Sequence, residues 1–268
     1  MTDLAALTAF AHELADLARA QTLPRFRSGL TVHNKEDEAW DPVTEADREA
    51  ERAIRARIEE IHPDHGIIGE EFGTARADAP LRWVLDPVDG TRAFVCGTTS
   101  WTTLIALEQD GVPVLGVIDQ AFTGERWVGT AERTTYFGPQ GSRDVVARST
   151  TELARARMTA TDPVKTGFFT EEEAEAFGDL VHRAEVARYS LDAYGYALVA
   201  MGELDLVVEA SLQHYDWAAL LPVLQGAGAV VSGWRGEPIA ASPRGRIVAA
   251  ATPELHAVAI ERLRSVSA

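Results

Sequence analysis

Trp83-Val84-Leu85-Asp86-Pro87-Val88-Asp89-Gly90-Thr91 reads as an apolar strand that ends in two carboxylates three residues apart and then opens a helix. Pro87 has no amide hydrogen and a fixed φ, so it takes the chain out of regular ladder pairing and lets Asp86 and Asp89 converge. The amides of Gly90 and Thr91 fall at the helix N-terminus, where an anion is favoured. Carboxylates beside an anion site are compatible if a divalent cation lies between them.

Further acids follow the same design. Ile67-Ile68-Gly69-Glu70-Glu71 is another short apolar run that ends in carboxylates. His214-Tyr215-Asp216-Trp217 places an Asp at the start of an apolar helix, and the stretch 41 to 47 brings a hydroxyl, Thr44, and two acids, Glu45 and Asp47, to the start of another. Each piece also has a plain reading: Asp-Gly is a common turn, Asp216 a helix cap, Glu70 and Glu71 a solvated strand end. In this order and spacing they point together to metal-dependent phosphate-ester chemistry. Ligands that offer only oxygen suit Mg²⁺ or Mn²⁺ and argue against zinc.

Composition sets the outer bounds. The 268 residues, 46% hydrophobic, suffice for a large core and about two subdomains. A net charge of −16 disfavours nucleic acid and anionic membranes as partners. No apolar run approaches the ~20 residues of a membrane span, and Met1-Thr2-Asp3-Leu4 lacks the basic and apolar regions of a signal peptide. With Cys96 as the single thiol there is no intramolecular disulfide, and a cytoplasmic location is expected. Cys96 is expected to pack within the helix after Thr91. The seven histidines show no zinc spacing; six read as surface or helix-end residues, and His214 as a residue at the mouth of the site.

Periodicity places the motifs. Apolar residues at helical spacing run from 3 to 24, and a second helix spans 44 to 61 with Thr44 as N-cap. Strands are expected near 66 to 69 and 82 to 86, then at 102 to 107 and 112 to 119 around a Gln109-Asp110-Gly111 turn, and at 126 to 130 and 134 to 137. Beyond residue 150 come helices near 170 to 182, 193 to 201 and 216 to 226, strands 204 to 209, 229 to 232 and 246 to 251, and a last helix with Pro253 at its first position. The small, polar stretch 73 to 80 reads as a loop near the entrance. These elements form an α/β sandwich with the acids between its halves.

The chain resembles the inositol monophosphatase superfamily, lithium-sensitive and magnesium-dependent phosphomonoesterases, from about residue 30 to its end. One signature, W-x-(I/V/L)-D-P-(I/V)-D-G-T, is Trp83 to Thr91. The other, W-D-x-A-(A/G) before a Gly-rich strand entry, is Asp216 to Ala219 and then Gly226-Ala227-Gly228, with Tyr215 in place of the usual Trp. The resemblance implies a layered αβαβα sandwich of the inositol monophosphatase and sugar phosphatase type. Its halves, 1–145 with most metal ligands and 146–268 with Asp216 and the substrate wall, form one compact catalytic unit. Glu70, Asp86 and the Val88 carbonyl would hold a first Mg²⁺, and Asp86, Asp89 and Asp216 a second, with a weaker third ion on Glu70 and water. Thr91, hydrogen-bonded to Asp47, would orient the attacking water, and the Gly90 and Thr91 amides would cradle the phosphate. Mn²⁺ would substitute, Li⁺ would inhibit, and the enzyme would be a homodimer. The stretch 30 to 43, with Lys35, Glu36 and Asp37, resembles the family's mobile catalytic loop.

Three segments resemble the branch that hydrolyses histidinol phosphate in histidine biosynthesis: Thr91 to Gly97 followed by Thr103 to Leu107, Gly124-Glu125-Arg126-Trp127-Val128-Gly129, and Asp192-Ala193-Tyr194-Gly195-Tyr196-Ala197-Leu198. Ser190 departs from the Gly of many relatives. L-histidinol phosphate carries an ammonium, which the carboxylates of Asp192 and Glu209 on the substrate wall would pair. Asp192 also reads as a helix N-cap and Glu209 as a plain strand-end acid. An inositol-1-phosphatase, or a broad small-molecule phosphatase, is the alternative.

Overall fold

The computed structural model describes residues 3–29, 44–164 and 168–267, together with the backbone of 33–34 and 42–43. The helices are α1 (Leu4–Thr22), α2 (Glu45–Ile61), α3 (Thr91–Cys96), α4 (Glu171–Arg183), α5 (Asp192–Ala200), α6 (His214–Trp217), α7 (Leu220–Gly226) and α8 (Pro253–Leu263). The first strands are β1 (His33–Asn34), β2 (Pro42–Val43), β3 (Gly66–Gly69), β4 (Gly73–Ala75), β5 (Leu81–Asp89) and β6 (Thr102–Gln109). Then follow β7 (Val112–Gln120), β8 (Glu125–Gly129), β9 (Thr134–Gly138), β10 (Gly141–Val145), β11 (Arg157–Ala160), β12 (Val186–Tyr189), β13 (Leu206–Glu209), β14 (Val230–Ser232) and β15 (Ile247–Ala250).

An eight-stranded sheet runs β10-β9-β8-β7-β6-β5-β3-β4, and a five-stranded sheet runs β12-β11-β13-β15-β14. Alternation along the strands decides what covers each face. Trp83 and Leu85 of β5, with Ile105 and Leu107 of β6, turn to α1 and α2, whose Leu7, Phe10, Leu14, Ile54 and Ile58 complete that core. Val84, Leu104, Ile118 and Trp127 turn to the opposite face and meet α5 and α7, which also carry Val207, Ile247 and Ala249 of the second sheet. On that sheet's far face Met158, Leu206, Val208 and Val248 pack with α4 and α8 through Phe177, Leu180, Leu255 and Ala259. The layers are therefore helix, sheet, helix, sheet, helix, the expected αβαβα order. Burying each large apolar side chain contributes roughly 1.5–3 kcal/mol.

Two local devices hold segments that carry the acids. Thr44 and Asp47 form a reciprocal capping box that starts α2. Gly116 and Gly129, paired across β7 and β8, let α7 dock on the bare sheet: a Cβ at Gly116 would lie 2.1 Å from the Ala219 carbonyl oxygen, and one at Gly129 2.3 Å from Val223 Cα. The α6–α7 segment is thereby held against the sheet that carries Asp86 and Asp89.

Several expectations are corrected. The stretch 73 to 80 is not all loop, because residues 73–75 form edge strand β4 on β3. The expected helix 216 to 226 is two pieces, α6 and α7. Strands β10, β11 and β12 were not foreseen. Among the described residues no helix is long and apolar enough to cross a membrane.

Candidate active site

The Asp-Pro-Val kink is fastened from both sides. Asp86 Oδ1 accepts the Val88 amide at 3.1 Å, and the Thr103 hydroxyl donates to the Pro87 carbonyl at 2.7 Å. Pairing with β6 shifts register between Asp86 and Asp89, as a proline there requires. Asp89 then accepts the Ala193 amide at 2.7 Å, and Asp216, in the first turn of α6, accepts the Gln213 amide at 2.6 Å. Asp216 is thus inside the helix it helps to start, not its N-cap. Carboxylate oxygens of Asp86, Asp89 and Asp216 all lie within 4.8 Å of one another.

Glu70 follows β3, its amide bonded to the Leu85 carbonyl at 3.2 Å, and its carboxyl shares a hydrogen bond with Asp86. Glu51 of α2, fully buried, fixes that turn by accepting the Glu71 amide at 2.8 Å and the Phe72 amide at 3.2 Å. Arg55 donates to the same Glu51 carboxylate at 2.7 Å. Asp47 accepts the Thr44 amide at 2.9 Å and hydroxyl at 2.5 Å, and stands 3.4 Å from the Thr91 hydroxyl. That hydroxyl is also 3.0 Å from the Val88 carbonyl, so it links Asp47 to the signature loop. Gly90 (φ 77°) is the left-handed residue from which α3 starts, and the Gly90 and Thr91 amides lie at its first turn.

Burial and like charge act together on the acids here. Burial first, then Glu70, Asp89 and Asp216, push the Asp86 carboxyl well above the usual carboxylate range. Burial, then Asp192 and Asp216, do the same to Asp89. Burial raises Asp47 to about 6 against the opposing Thr44 hydrogen bonds. An all-oxygen set of converging carboxylates, with Asp86 and Asp89 disfavoured as bare anions, fits a hard divalent cation, whose charge would reverse these shifts. The acids could hold such an ion.

Asp192 is the first residue of α5 (φ 51°) and makes no capping bond to it, so the N-cap reading is overturned. Its carboxylate lies on the signature loop, where a Cβ added to Gly90 would come within 2.9 Å of Asp192 Cγ. Ser100 donates to it at 3.2 Å. Burial raises Asp192 to about 6, while Ser100 and Arg92 pull the other way. Arg92 meets Asp162 at 3.5 Å and lies over the Phe168 ring at 4.6 Å. Glu209 ends β13 but is only 3% exposed, so it is not a solvated strand-end acid. It accepts the Thr161 amide at 2.7 Å and hydroxyl at 2.8 Å, and burial raises it to about 8, with Asp192 adding to the rise.

Other residues depart from expectation. His214 Nε2 lies 2.6 Å from Glu108 Oε1, so its ring is taken up by that acid. Three histidines read as surface residues have internal partners: His12 with Arg126, His65 with the Trp83 indole, and His256 with Ser232. Cys96 is exposed, not packed. Lys35, Glu36 and Asp37 lie outside the described residues. Glu51, Ser100, Thr161 and Arg92 were missed. Glu51 and Arg55 at i, i+4 look like a solvated helix pair, and only tertiary contact shows otherwise.

A family model described as the inositol monophosphatase family matches residues 3–268. A bifunctional chloroplastic phosphatase of Arabidopsis thaliana is 36% identical over 98% of this chain and 76% of its own. A histidinol-phosphatase of Streptomyces coelicolor is 34% identical over 92% of each. The structure of an inositol monophosphatase from Zymomonas mobilis superposes with a TM-score of 0.86 at 38% identity, over 98% of this chain and all of that one.

Proposed function

The chain belongs to the inositol monophosphatase family and is a phosphoric monoester hydrolase, and from that premise we propose that it hydrolyses L-histidinol phosphate to L-histidinol and phosphate in histidine biosynthesis. The observation that carries the substrate is the position of Asp192, a carboxylate resting on the Gly90 turn beside the acid cluster. Glu209 is buried and Asp192 half-buried, and the charge of Asp192 repels that of Glu209. An ammonium on the leaving group would relieve that repulsion and form a charge-assisted hydrogen bond, whereas a neutral polyol would not. Relatives named histidinol-phosphatase from Streptomyces coelicolor, Chlorobaculum parvum and Mycobacterium tuberculosis support the reading.

In this account Glu70, Asp86, Asp89, Asp216 and the Val88 carbonyl would hold Mg²⁺. When bound, the metal supplies Lewis-acid charge and lowers the pKa of water. The Gly90 and Thr91 amides hold phosphate oxygens by hydrogen bonds. The Thr91 hydroxyl, beside Asp47 and the Val88 carbonyl, would orient the attacking water, and Asp47 and Glu70 would receive its proton. Asp192 and Glu209 hold the amine end so that the ester oxygen faces away from the attack. Mn²⁺ would substitute for Mg²⁺ and Li⁺ would inhibit. By resemblance the enzyme would act as a homodimer in the cytoplasm.

The alternative, an inositol-1-phosphatase or broad phosphatase, is favoured by the likeness to the Zymomonas inositol monophosphatase. Product inhibition tests between them. L-histidinol should compete with substrate and myo-inositol should not; inhibition by myo-inositol alone would reverse the assignment.

A further inference from the structure

Two buried hydroxyls beside the acid cluster have no hydrogen-bond partner. Tyr196 is 2% exposed and its Oη is unpartnered; Thr102 is fully buried and its Oγ1 is unpartnered as well. Native interiors rarely leave such groups unpaired, and an exception calls for a ligand, water or ion not yet in place. The two residues flank the same acid, Asp89, from different elements. Thr102 is the cross-strand partner of Asp89 in the β5–β6 ladder, where directly opposed residues share a face. Ala193, whose amide holds Asp89, lies one helical turn before Tyr196, so the two share one face of α5. The charges that act on the Tyr196 phenol are those of Glu209, Asp89 and Asp216.

We propose that Tyr196 and Thr102 are positioning residues whose hydroxyls donate, directly or through one internal water, to Asp89 and Asp216 when a divalent cation fixes those carboxylates. The inference rests on the assignment of these acids as metal ligands. A cation that fixes these carboxylates in one arrangement would present an acceptor oxygen to each orphan donor. Burial and the neighbouring acids push the Tyr196 phenol well above its ordinary value, so it stays a donor across the working range.

The test is Mn²⁺ binding to the metal-stripped full chain, followed by the electron paramagnetic resonance signal of free Mn²⁺, with melting of the metal-free protein measured in parallel. Tyr196→Phe keeps the ring and removes only the hydroxyl; Thr102→Val does the same in outline and serves as the second variant. Loss of metal-orienting partners weakens binding by about 10-fold or more, and that loss is expected with the metal-free melting temperature unchanged or raised, because an unsatisfied donor has been removed. Unchanged Mn²⁺ affinity in both variants would overturn the proposal. A fall in affinity accompanied by a lower metal-free melting temperature would also overturn it, since a core defect explains both. A wild-type chain that takes up no Mn²⁺ would defeat the metal assignment itself, an outcome distinct from equal binding by wild type and variants.

Discussion

The Ala193 amide donates to Asp89 at 2.7 Å across 104 positions of sequence. This bond ties the signature loop of the eight-stranded sheet to the start of α5, where Asp192 stands. The acid cluster and the proposed substrate wall are therefore joined by a direct hydrogen bond, Ala193 to Asp89.

Asp86 is the most buried of the clustered acids, 2% exposed, and borders Glu70, Asp89 and Asp216. Asp86→Asn should lower kcat by on the order of a thousandfold, through lost electrostatic stabilisation. The metal-free protein should melt higher, because one repelling charge is gone. Phosphate release assays and calorimetry on the same preparation read both. Near-parental activity would end the assignment of Asp86 as a metal ligand.

The raised acids give a pH dependence of defined sign. Asp47 and Asp192 sit at about 6 and Glu209 at about 8 in the folded chain. Unfolded, such groups titrate near about 4. Between those values the folded chain binds more protons, so the stability these groups lend in acid is lost as pH rises through about 6 and then about 8. A shift of about two units, as at Asp192, corresponds to about 3 kcal/mol, or roughly 5–10 °C in melting temperature for a chain of this size. The metal-free Tm should fall from pH 5 to pH 9, and saturating Mg²⁺ should flatten the fall; a Tm that rises over this range would contradict the electrostatic account.

Glu51 acts on the site only through the turn that carries Glu70. Glu51→Ala would leave the Glu71 and Phe72 amides and the Arg55 guanidinium without their acceptor. Expected are a loss of about 3 kcal/mol in stability and weaker Mg²⁺ activation, read as a higher Mg²⁺ concentration for half-maximal rate. An unchanged Mg²⁺ response would show that the turn does not position Glu70.

Asp192 tests the substrate. Removing one partner of a buried charge pair costs about 2–5 kcal/mol, so Asp192→Ala should reduce kcat/KM for L-histidinol phosphate at least tenfold more than for myo-inositol 1-phosphate. Equal losses would make Asp192 a support for Asp89 and Gly90 alone.

Much of this arrangement is legible in the sequence, and the reason is local. Asp86, Asp89 and Gly90 carry their own geometry, because Pro87 breaks the ladder and Gly90 takes the positive φ that starts α3. Thr44 and Asp47 announce α2 through a capping box, and Pro253 sits at the first position of α8. The edge strand β12 is short and exposed, with no alternation to mark it. β11 owes its place to pairing with β12 and β13. The break between α6 and α7 follows from docking on Gly116 and Gly129, a contact between distant segments. Glu51, Ser100, Thr161 and the orphan hydroxyls of Thr102 and Tyr196 acquire meaning only from neighbours in space.

The most direct measurement is phosphate release with Mg²⁺ from L-histidinol phosphate and from myo-inositol 1-phosphate on one enzyme preparation. The account predicts a kcat/KM preference of about a hundredfold for histidinol phosphate, equivalent to ~2.7 kcal/mol in transition-state binding. Comparable or reversed rates would contradict it, leaving the phosphatase chemistry in place but making the substrate an inositol phosphate or a broad range of esters.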